Sequence, residues 1–211
     1  ILSAIKVDEK ELTIDTPVTN LLSRYNIGHI ISAYPVLSDE ISLTKKVYFD
    51  KHNIYLYSLD KISATPFFVP EKLYKISSTD DFDQAYNDKK ISEKSAFLEV
   101  KNLKFKTNTN KSKINLIKNS NYEIVLIGKF DGMVFIVFDK NYYPEWQVYV
   151  DGKKTSIVKT DITQIGVYVP QGDHIISLKY ENKMFKIGVT ISIVYLLILS
   201  IIYLKKENIF L

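Results

Sequence analysis

Two tyrosines and a tryptophan around one proline are the residues of this sequence best suited to binding a ligand. Tyr142, Tyr143 and Trp146 flank Pro144 in a single short stretch. Aromatic rings stack on the apolar faces of pyranose sugars, while polar groups nearby bind the sugar hydroxyls. The stretch therefore predicts sugar stacking. The alternative is that Trp146 and one tyrosine fill a sheet core and that Pro144 shapes the start of a strand.

The titratable residues predict neither a metal site nor a catalytic centre. Four aspartates lie at or near predicted turns, where this residue is favoured for backbone reasons: Asp139, Asp151, Asp161 and Asp173. None has the spacing of an EF-hand loop. Three histidines are far apart and lack a second ligand at metal spacing: His29, His52 and His174. Since the sequence has no cysteine, no glycine-rich phosphate loop and no nucleophile elbow, we expect no cofactor and no catalytic residue.

The charge pattern argues against nucleic acid as a partner. The net charge of +4 is spread over a chain in which lysines alternate with acidic residues. No basic stretch carries the interleaved aromatics or glycines of a nucleic-acid-binding segment.

Short strands and tight turns are expected to position the aromatic stretch. Strand candidates are 97–106, 113–118, 122–130, 133–139, 146–150, 156–159, 164–169 and 174–180. Three turn signals separate them, each with glycine where a two-residue hairpin needs positive φ: Asp131-Gly132, Asp151-Gly152 and Gln171-Gly172. Apolar residues alternate along the candidates, as in strands with one buried face. We expect an antiparallel, jelly-roll-like β-sandwich over residues 96–181.

The residues before the sandwich predict a small α+β segment over 1–76. Thr16 and Pro17 suit the start of a short helix, which Asn26-Ile27-Gly28 would end. Residues 46–50 and 54–59 are typical of paired strands. A polar connector over 77–95 is expected to contain one short helix, capped by Asp80 or Asp81.

The C-terminal region predicts a transmembrane helix. No charged residue interrupts Ile187 to Leu204, and residues 184–204 form a helix of about 31 Å, enough to cross a bilayer. A buried soluble helix is the alternative, but such helices usually carry a polar face. Gly188 and Ser192 have the small-xxx-small spacing that lets helices approach closely, which predicts packing against other transmembrane helices. Residues 205–211 would form a short tail.

A linker of only Glu181-Asn182-Lys183 joins the sandwich to this helix. The body should therefore sit on the membrane surface, with Lys183 and Lys186 near the lipid head groups. Charge leaves the orientation open, because Lys205 and Lys206 follow the helix and balance the two lysines before it. The chain starts at Ile1 without a signal peptide, which fits a processed start or a piece of a longer protein.

Several short motifs occur in a characteristic order from residue 142 to residue 204. They are Tyr142-Tyr143-Pro144 with Trp146, Val150-Asp151-Gly152-Lys153, Val169-Pro170 with Gly172 and His174, then Tyr180 and the helix that contains Gly188. This order resembles the C-terminal end of the YfhO-type bacterial membrane proteins, and residues 21–25, 53–57 and 66–69 resemble earlier parts of that family more loosely. Two positions depart from it. Glu145 replaces a usual glycine, and Thr65-Pro66-Phe67 lacks an arginine.

The resemblance implies a long polytopic protein with the architecture of glycosyltransferases that use polyprenyl-phosphate sugars to decorate cell-envelope polymers such as teichoic acids. In such enzymes the catalytic acid lies in an early outer loop, which these residues do not include. The chain would then be a non-catalytic extracytoplasmic domain with the last helix of a cell-membrane protein. Its partners would be the lipid bilayer, other helices of the parent chain and a glycan or lipid-linked sugar. The alternative is a stand-alone, membrane-tethered module that binds carbohydrate or protein.

Overall fold

The computed structural model describes residues 6–8, 11–14, 16–49, 52–59, 65–88, 90–92, 94–107 and 111–207. Within these residues the protein is mainly β, with predominantly antiparallel sheets, three helices and an apolar helix at the C-terminal end. The predicted fold class is therefore confirmed.

The first elements form a small α+β unit. They are β1 (Lys6–Asp8), β2 (Glu11–Thr13), α1 (Thr16–Arg24), β3 (His29–Ser32), β4 (Val36–Leu37), β5 (Ile41–Phe49) and β6 (His52–Leu59). One sheet has the order β1-β2-β4, with β2 and β4 parallel, and the antiparallel second sheet has the order β3-β6-β5. A strand points successive side chains to opposite faces, so alternate residues of β6 share one face. On the buried face, Tyr55, Tyr57 and Leu59 form one cluster with Val18 of α1.

Helix α1 ends where the sequence predicts. Asn26 adopts a left-handed conformation with φ of 54°. The amide of Ile27 donates to the carbonyl of Leu22 (2.8 Å), and the amide of Asn26 donates to that of Ser23 (3.0 Å). These bonds satisfy carbonyls that the last turn would otherwise leave unpaired.

A second group of elements links this unit to the sandwich: β7 (Phe67–Phe68), β8 (Lys72–Ile76), α2 (Thr79–Asn87) and β9 (Ser95–Glu99). Ser78, rather than Asp80 or Asp81, caps α2, since its hydroxyl accepts from the amide of Asp81 (3.3 Å). The carboxylate of Asp81 reaches back to the amides of Ser77 (2.6 Å) and Ser78 (3.2 Å), as in a capping box.

Two facing sheets form the sandwich. The remaining strands are β10 (Ser112–Asn119), β11 (Glu123–Phe130), β12 (Val134–Asn141), β13 (Trp146–Val150), β14 (Lys153–Thr155), β15 (Val158–Thr160), β16 (Gln164–Val169) and β17 (Gly172–Tyr180). One sheet has the order β10-β11-β17-β13-β14 and the other β7-β12-β16-β15-β9-β8, with β8 and β9 parallel. Leu126, Val148 and Leu178 of the first sheet are fully buried against Ile136 and Val167 of the second.

The three turn signals have two different outcomes. Asp151 and Gly152, with φ of 51° and 76°, join β13 to β14, and these two strands pair antiparallel. Asp131-Gly132 and Gln171-Gly172 instead join strands of different sheets, β11 to β12 and β16 to β17. At those two places the chain crosses between the sheets and does not fold back as a hairpin, because glycine favours a turn without determining which sheet the next strand joins.

The division into domains stays a prediction. Strands β7 and β8, inside the predicted segment 1–76, pair with β12 and β9 of the six-stranded sheet. Phe82 of α2, in the predicted connector, is fully buried with its ring edge-on to Phe97 of β9 at 5.1 Å. These contacts join the early segment to the sandwich.

Helix α3 (Lys183–Glu207) follows β17 after two residues. Its part Lys183–Ile202 is long and apolar enough to cross a membrane, with a mean hydropathy of 2.3, and none of it is buried against the rest of the described protein. The hydroxyls of Thr190, Ser192 and Ser200 donate to carbonyls one turn earlier, at 2.9 Å each. These three hydroxyls thus find acceptors within the helix itself, which suits a lipid environment. Packing through Gly188 and Ser192 stays a prediction.

Candidate functional site

An open groove lies at one edge of the sandwich, beside the loop between β12 and β13. Its volume is about 480 Å³. The residues that line it are Tyr142, Tyr143, Pro144, Trp146, Gln147, Lys154, Thr155, Ser156 and Ile157. The structure thus brings the three predicted aromatic residues to one place and adds a polar wall of Lys154 and Thr155 from β14 and Ser156 after it.

Hydrogen bonds to its backbone groups hold the loop 142–145. The amide of Trp146 donates to the carbonyl of Tyr143 (3.1 Å), and the side-chain amide of Gln147 donates to that of Pro144 (2.9 Å). The amide of Tyr142 donates to the carbonyl of Thr163. These bonds fix the backbone that carries the two tyrosines, so the rings start from a defined position.

The three aromatic residues differ in exposure. Trp146 is 6% exposed and belongs to the sandwich core, with its ring edge-on to Tyr180 at 5.3 Å. Tyr142 and Tyr143 are 41% and 54% exposed. The core interpretation therefore describes Trp146, while the two tyrosines present their rings to solvent. Whether they bind sugar stays a prediction.

The polar wall of the groove can hydrogen-bond a polyhydroxylated ligand. Thr155 and Ser156 carry hydroxyls, and Lys154 carries an ammonium group. The side-chain NH₂ group of Gln147 donates to the carbonyl of Pro144, so the side-chain oxygen of Gln147 points away from that bond. Rings on one side and short donors and acceptors on the other suit a sugar, whose ring faces are apolar and whose edges are polar.

A buried ion pair near the turn that holds the groove loop was missed by sequence reasoning. The guanidinium of Arg24, in the last turn of α1, bonds the carboxylate of Asp161, and both side chains are almost fully buried. The second oxygen of that carboxylate accepts from the amide of Phe97 (2.9 Å). Burial raises the pKa of Asp161, and the Arg24 guanidinium opposes the shift. The partners are 137 residues apart, so no local pattern could have paired them.

This ion pair positions the tyrosine loop through one turn of the chain. Asp161 and Ile162 have φ of 50° and 71°, a left-handed conformation that aspartate tolerates better than most residues but that is costly for the β-branched Ile162. The hydroxyl of Tyr25, the residue directly after α1, donates to the carbonyl of Asp161, which adds a second bond to this turn. Thr163, the next residue in the turn, provides the carbonyl that holds Tyr142. Helix α1 therefore fixes the turn on which the groove loop rests.

The distal end of β13 carries a different cluster. Asp151 accepts from the amide of Ile175 (2.9 Å) and lies 2.6 Å from Nδ1 of His174. These two bonds, the amide first, lower the pKa of Asp151. The bond to Asp151 raises the pKa of His174. The cluster closes the turn after β13, which accounts for both residues without a ligand.

No cluster of metal-ligating side chains occurs in the part of the chain that the structure describes. There, no group of three or more histidine or acidic side chains could hold an ion.

Comparisons with known proteins point to one family. Residues 85–192, about half of the chain, match the family model described as bacterial membrane protein YfhO. A 74-residue stretch is 34% identical to a protein of Bacillus subtilis (strain 168) named "Uncharacterized protein YfhO". That match covers 35% of this chain and 8% of the relative, so the chain corresponds to a small part of the curated protein. No solved structure matches.

Proposed function

The chain belongs to the YfhO family of bacterial membrane proteins, and from this premise we propose that it forms a non-catalytic, extracytoplasmic glycan-binding domain with the last helix of a polytopic membrane protein. The parent protein would resemble glycosyltransferases that use lipid-linked sugars. The groove would dock the acceptor polymer or the lipid-linked sugar for a catalytic region elsewhere in the parent.

One observation carries this proposal: two tyrosine rings stand exposed, side by side in sequence, on a loop that the protein holds rigid. What distinguishes these two rings from the other exposed tyrosines is that they are adjacent and line a groove with polar groups opposite them, as in sites that bind small ligands. The loop backbone is already held before binding, so stacking on a sugar carries little cost for ordering that backbone. The polar wall from Lys154 to Ser156 provides the hydrogen bonds that orient such a ligand.

Sugar binding is tested on the whole chain in lipid nanodiscs. Saturation-transfer NMR with glucose, galactose and N-acetylglucosamine oligosaccharides should detect binding by the unmodified protein. Tyr143→Ala should abolish the transfer, whereas Tyr143→Phe should keep it because the ring is retained. Tyr48→Ala is the control, since Tyr48 is an exposed tyrosine on β5, in another sheet. Transfer that is absent in the unmodified protein, or equally lost with Tyr48→Ala, would contradict the proposal.

The side of the membrane is tested separately, with single engineered cysteines. These 211 residues contain no cysteine of their own that would react. Lys113→Cys places one exposed thiol on β10, and Lys206→Cys places one beyond the apolar part of α3. In intact bacteria that express the full-length parent protein, with any cysteine outside these 211 residues replaced by serine, a membrane-impermeant maleimide should label only the thiol at 113. Labelling of the thiol at 206 alone would place the β body in the cytosol.

A further inference from the structure

Exposed aromatic side chains surround the place where the sandwich meets α3. Tyr122 is 71% exposed and lies just before β11, and its carbonyl accepts from the amide of Tyr180 (2.9 Å). Tyr180, the last residue of β17, is 36% exposed, and Phe185 in the first turn of α3 is 69% exposed. We call Tyr122, Tyr180 and Phe185 the aromatic rim. None of the three lines the groove.

The start of α3 is fastened to the sandwich. Asn182 caps the helix by accepting from the amide of Phe185 (2.9 Å). The amide of Glu181 donates to the carbonyl of Glu145 (2.8 Å). The carboxylate of Glu181 accepts from the hydroxyl of Tyr149 (2.8 Å). The two bonds of Glu181 hold the linker on the sandwich, and the Asn182 cap holds the first turn of α3 on that linker, so the rim and the groove loop lie close to the start of the span.

The chemistry of the rim fits the boundary between water and lipid. Tyrosine places an apolar ring and a polar tip across that boundary, and aromatic residues are enriched there in membrane proteins. Lys183 and Lys186, in the same helical turn as Phe185, add positive charges that attract anionic head groups. The opposite end of β17 bears Asp173 and His174, and the strand's nine residues separate the two ends by about 26 Å.

We propose that the aromatic rim is a docking surface for the bilayer, inserted among the lipid head groups, so that the sandwich rests on the membrane by this end. The rim is continuous with the apolar surface of α3, which fixes the identity of the partner as lipid. If the proposed function holds, the groove opens at head-group level. Its ligand is then the part of a glycan nearest to a lipid anchor, and a distant part of a polymer would be out of reach.

Trp146, the sole tryptophan of the sequence, reports on this docking. The complete chain is reconstituted in vesicles of phosphatidylcholine and phosphatidylglycerol that carry bromine either near the head group or near the chain end. The shallow bromine should quench Trp146 fluorescence more strongly than the deep one, because Trp146 contacts Tyr180 at the rim. Equal quenching, or none, would overturn the proposal.

Substitutions separate docking by the rim from simple tethering by α3. Tyr122→Ser should weaken the preference for the shallow bromine, whereas Tyr48→Ser, which alters a tyrosine of nearly equal exposure (70%) on β5, should leave it unchanged. If Tyr122→Ser has no effect, or Tyr48→Ser has the same effect, the rim does not dock. Quenching by brominated lipid needs no sugar, so it can detect docking even if saturation transfer shows no sugar binding. Likewise, saturation transfer can detect sugar binding even if quenching shows no docking.

Discussion

The two ends of strand β13 differ in how their side chains are used. At Asp151 the turn is closed by its own side chain, which bonds His174 and the amide of Ile175. At the other end, the loop 142–145 bonds only through its backbone, and Tyr142 and Tyr143 remain exposed. A turn closed by hydrogen bonds of its own side chain contributes stability, whereas a loop held through its backbone leaves its side chains able to contact a partner.

The ends also differ in what holds them. The cluster at Asp151 joins residues about two dozen positions apart, on strands adjacent in one sheet. The groove loop depends on a turn that is fixed by Arg24 of α1, 137 residues from Asp161. The end that we propose to bind ligand is thus the one that requires the whole body to be folded.

The largest expected effect comes from removing that distant support. Arg24→Ala should lower the free energy of unfolding by about 3–5 kcal/mol, because it leaves the buried carboxylate of Asp161 without its partner. Urea unfolding of the complete chain in detergent micelles measures the loss. The same variant should weaken sugar binding at the groove, since the turn that holds Tyr142 loses its tie to α1.

A double variant keeps this test specific. Arg24→Met with Asp161→Asn removes both charges and should recover part of the lost stability, because the Asn side-chain oxygen can still accept from the amide of Phe97 and Asn tolerates the left-handed backbone at this position. A loss below about 1 kcal/mol for Arg24→Ala would mean that the pair does not fasten α1 to the sandwich.

A smaller effect separates the core aromatic of the groove from the exposed ones. Trp146→Phe should cost about 1–2 kcal/mol, since the smaller ring leaves part of the core unfilled while it keeps an aromatic contact with Tyr180. Tyr143→Ala should cost less than about 0.5 kcal/mol because its side chain is exposed. The same urea titration compares both, and a larger cost for Tyr143→Ala would make that ring structural.

Local patterns in the sequence predict much of this molecule. Alternating apolar residues mark β13, β16 and β17, and an uninterrupted apolar run marks α3, because burial and lipid each select side chains at a fixed spacing. Strand β14 was missed because Lys153–Thr155 is polar and pairs at a sheet edge. The candidate strand 97–106 ends at Glu99, where the amide of Val100 turns back to the carbonyl of Leu98 (3.1 Å).

Long-range contacts account for what the patterns could not supply. Three glycine turns look alike in the sequence, yet only at Asp151-Gly152 does the chain fold back within one sheet. The aromatic stretch predicted the groove's rings but not its polar wall, which arrives with β14. Nothing near Arg24 or Asp161 in the sequence marks either residue as half of a buried pair.

The smallest expected effect is a pH dependence at the distal end. His174 has a pKa raised above its ordinary 6.5, so its contribution to stability is full below pH 6.5 and is lost as the pH rises through the raised value. Asp151 has a pKa lowered below 3.8, so its contribution is present above pH 3.8 and is lost as the pH falls through the lowered value. The pair therefore stabilises the turn most between those two pH values.

Thermal unfolding of the complete chain in detergent at about pH 5.5 and about pH 8.5 brackets the loss from His174. His174→Gln should reduce the difference between the two midpoints, whereas His29→Gln, which alters an exposed histidine on β3, should leave it unchanged. An unreduced difference in His174→Gln would mean that the amide of Ile175 alone closes the turn. The distal end would then resemble the groove loop, since backbone bonds would hold both, and the contrast between the two ends would rest on exposed aromatic rings alone.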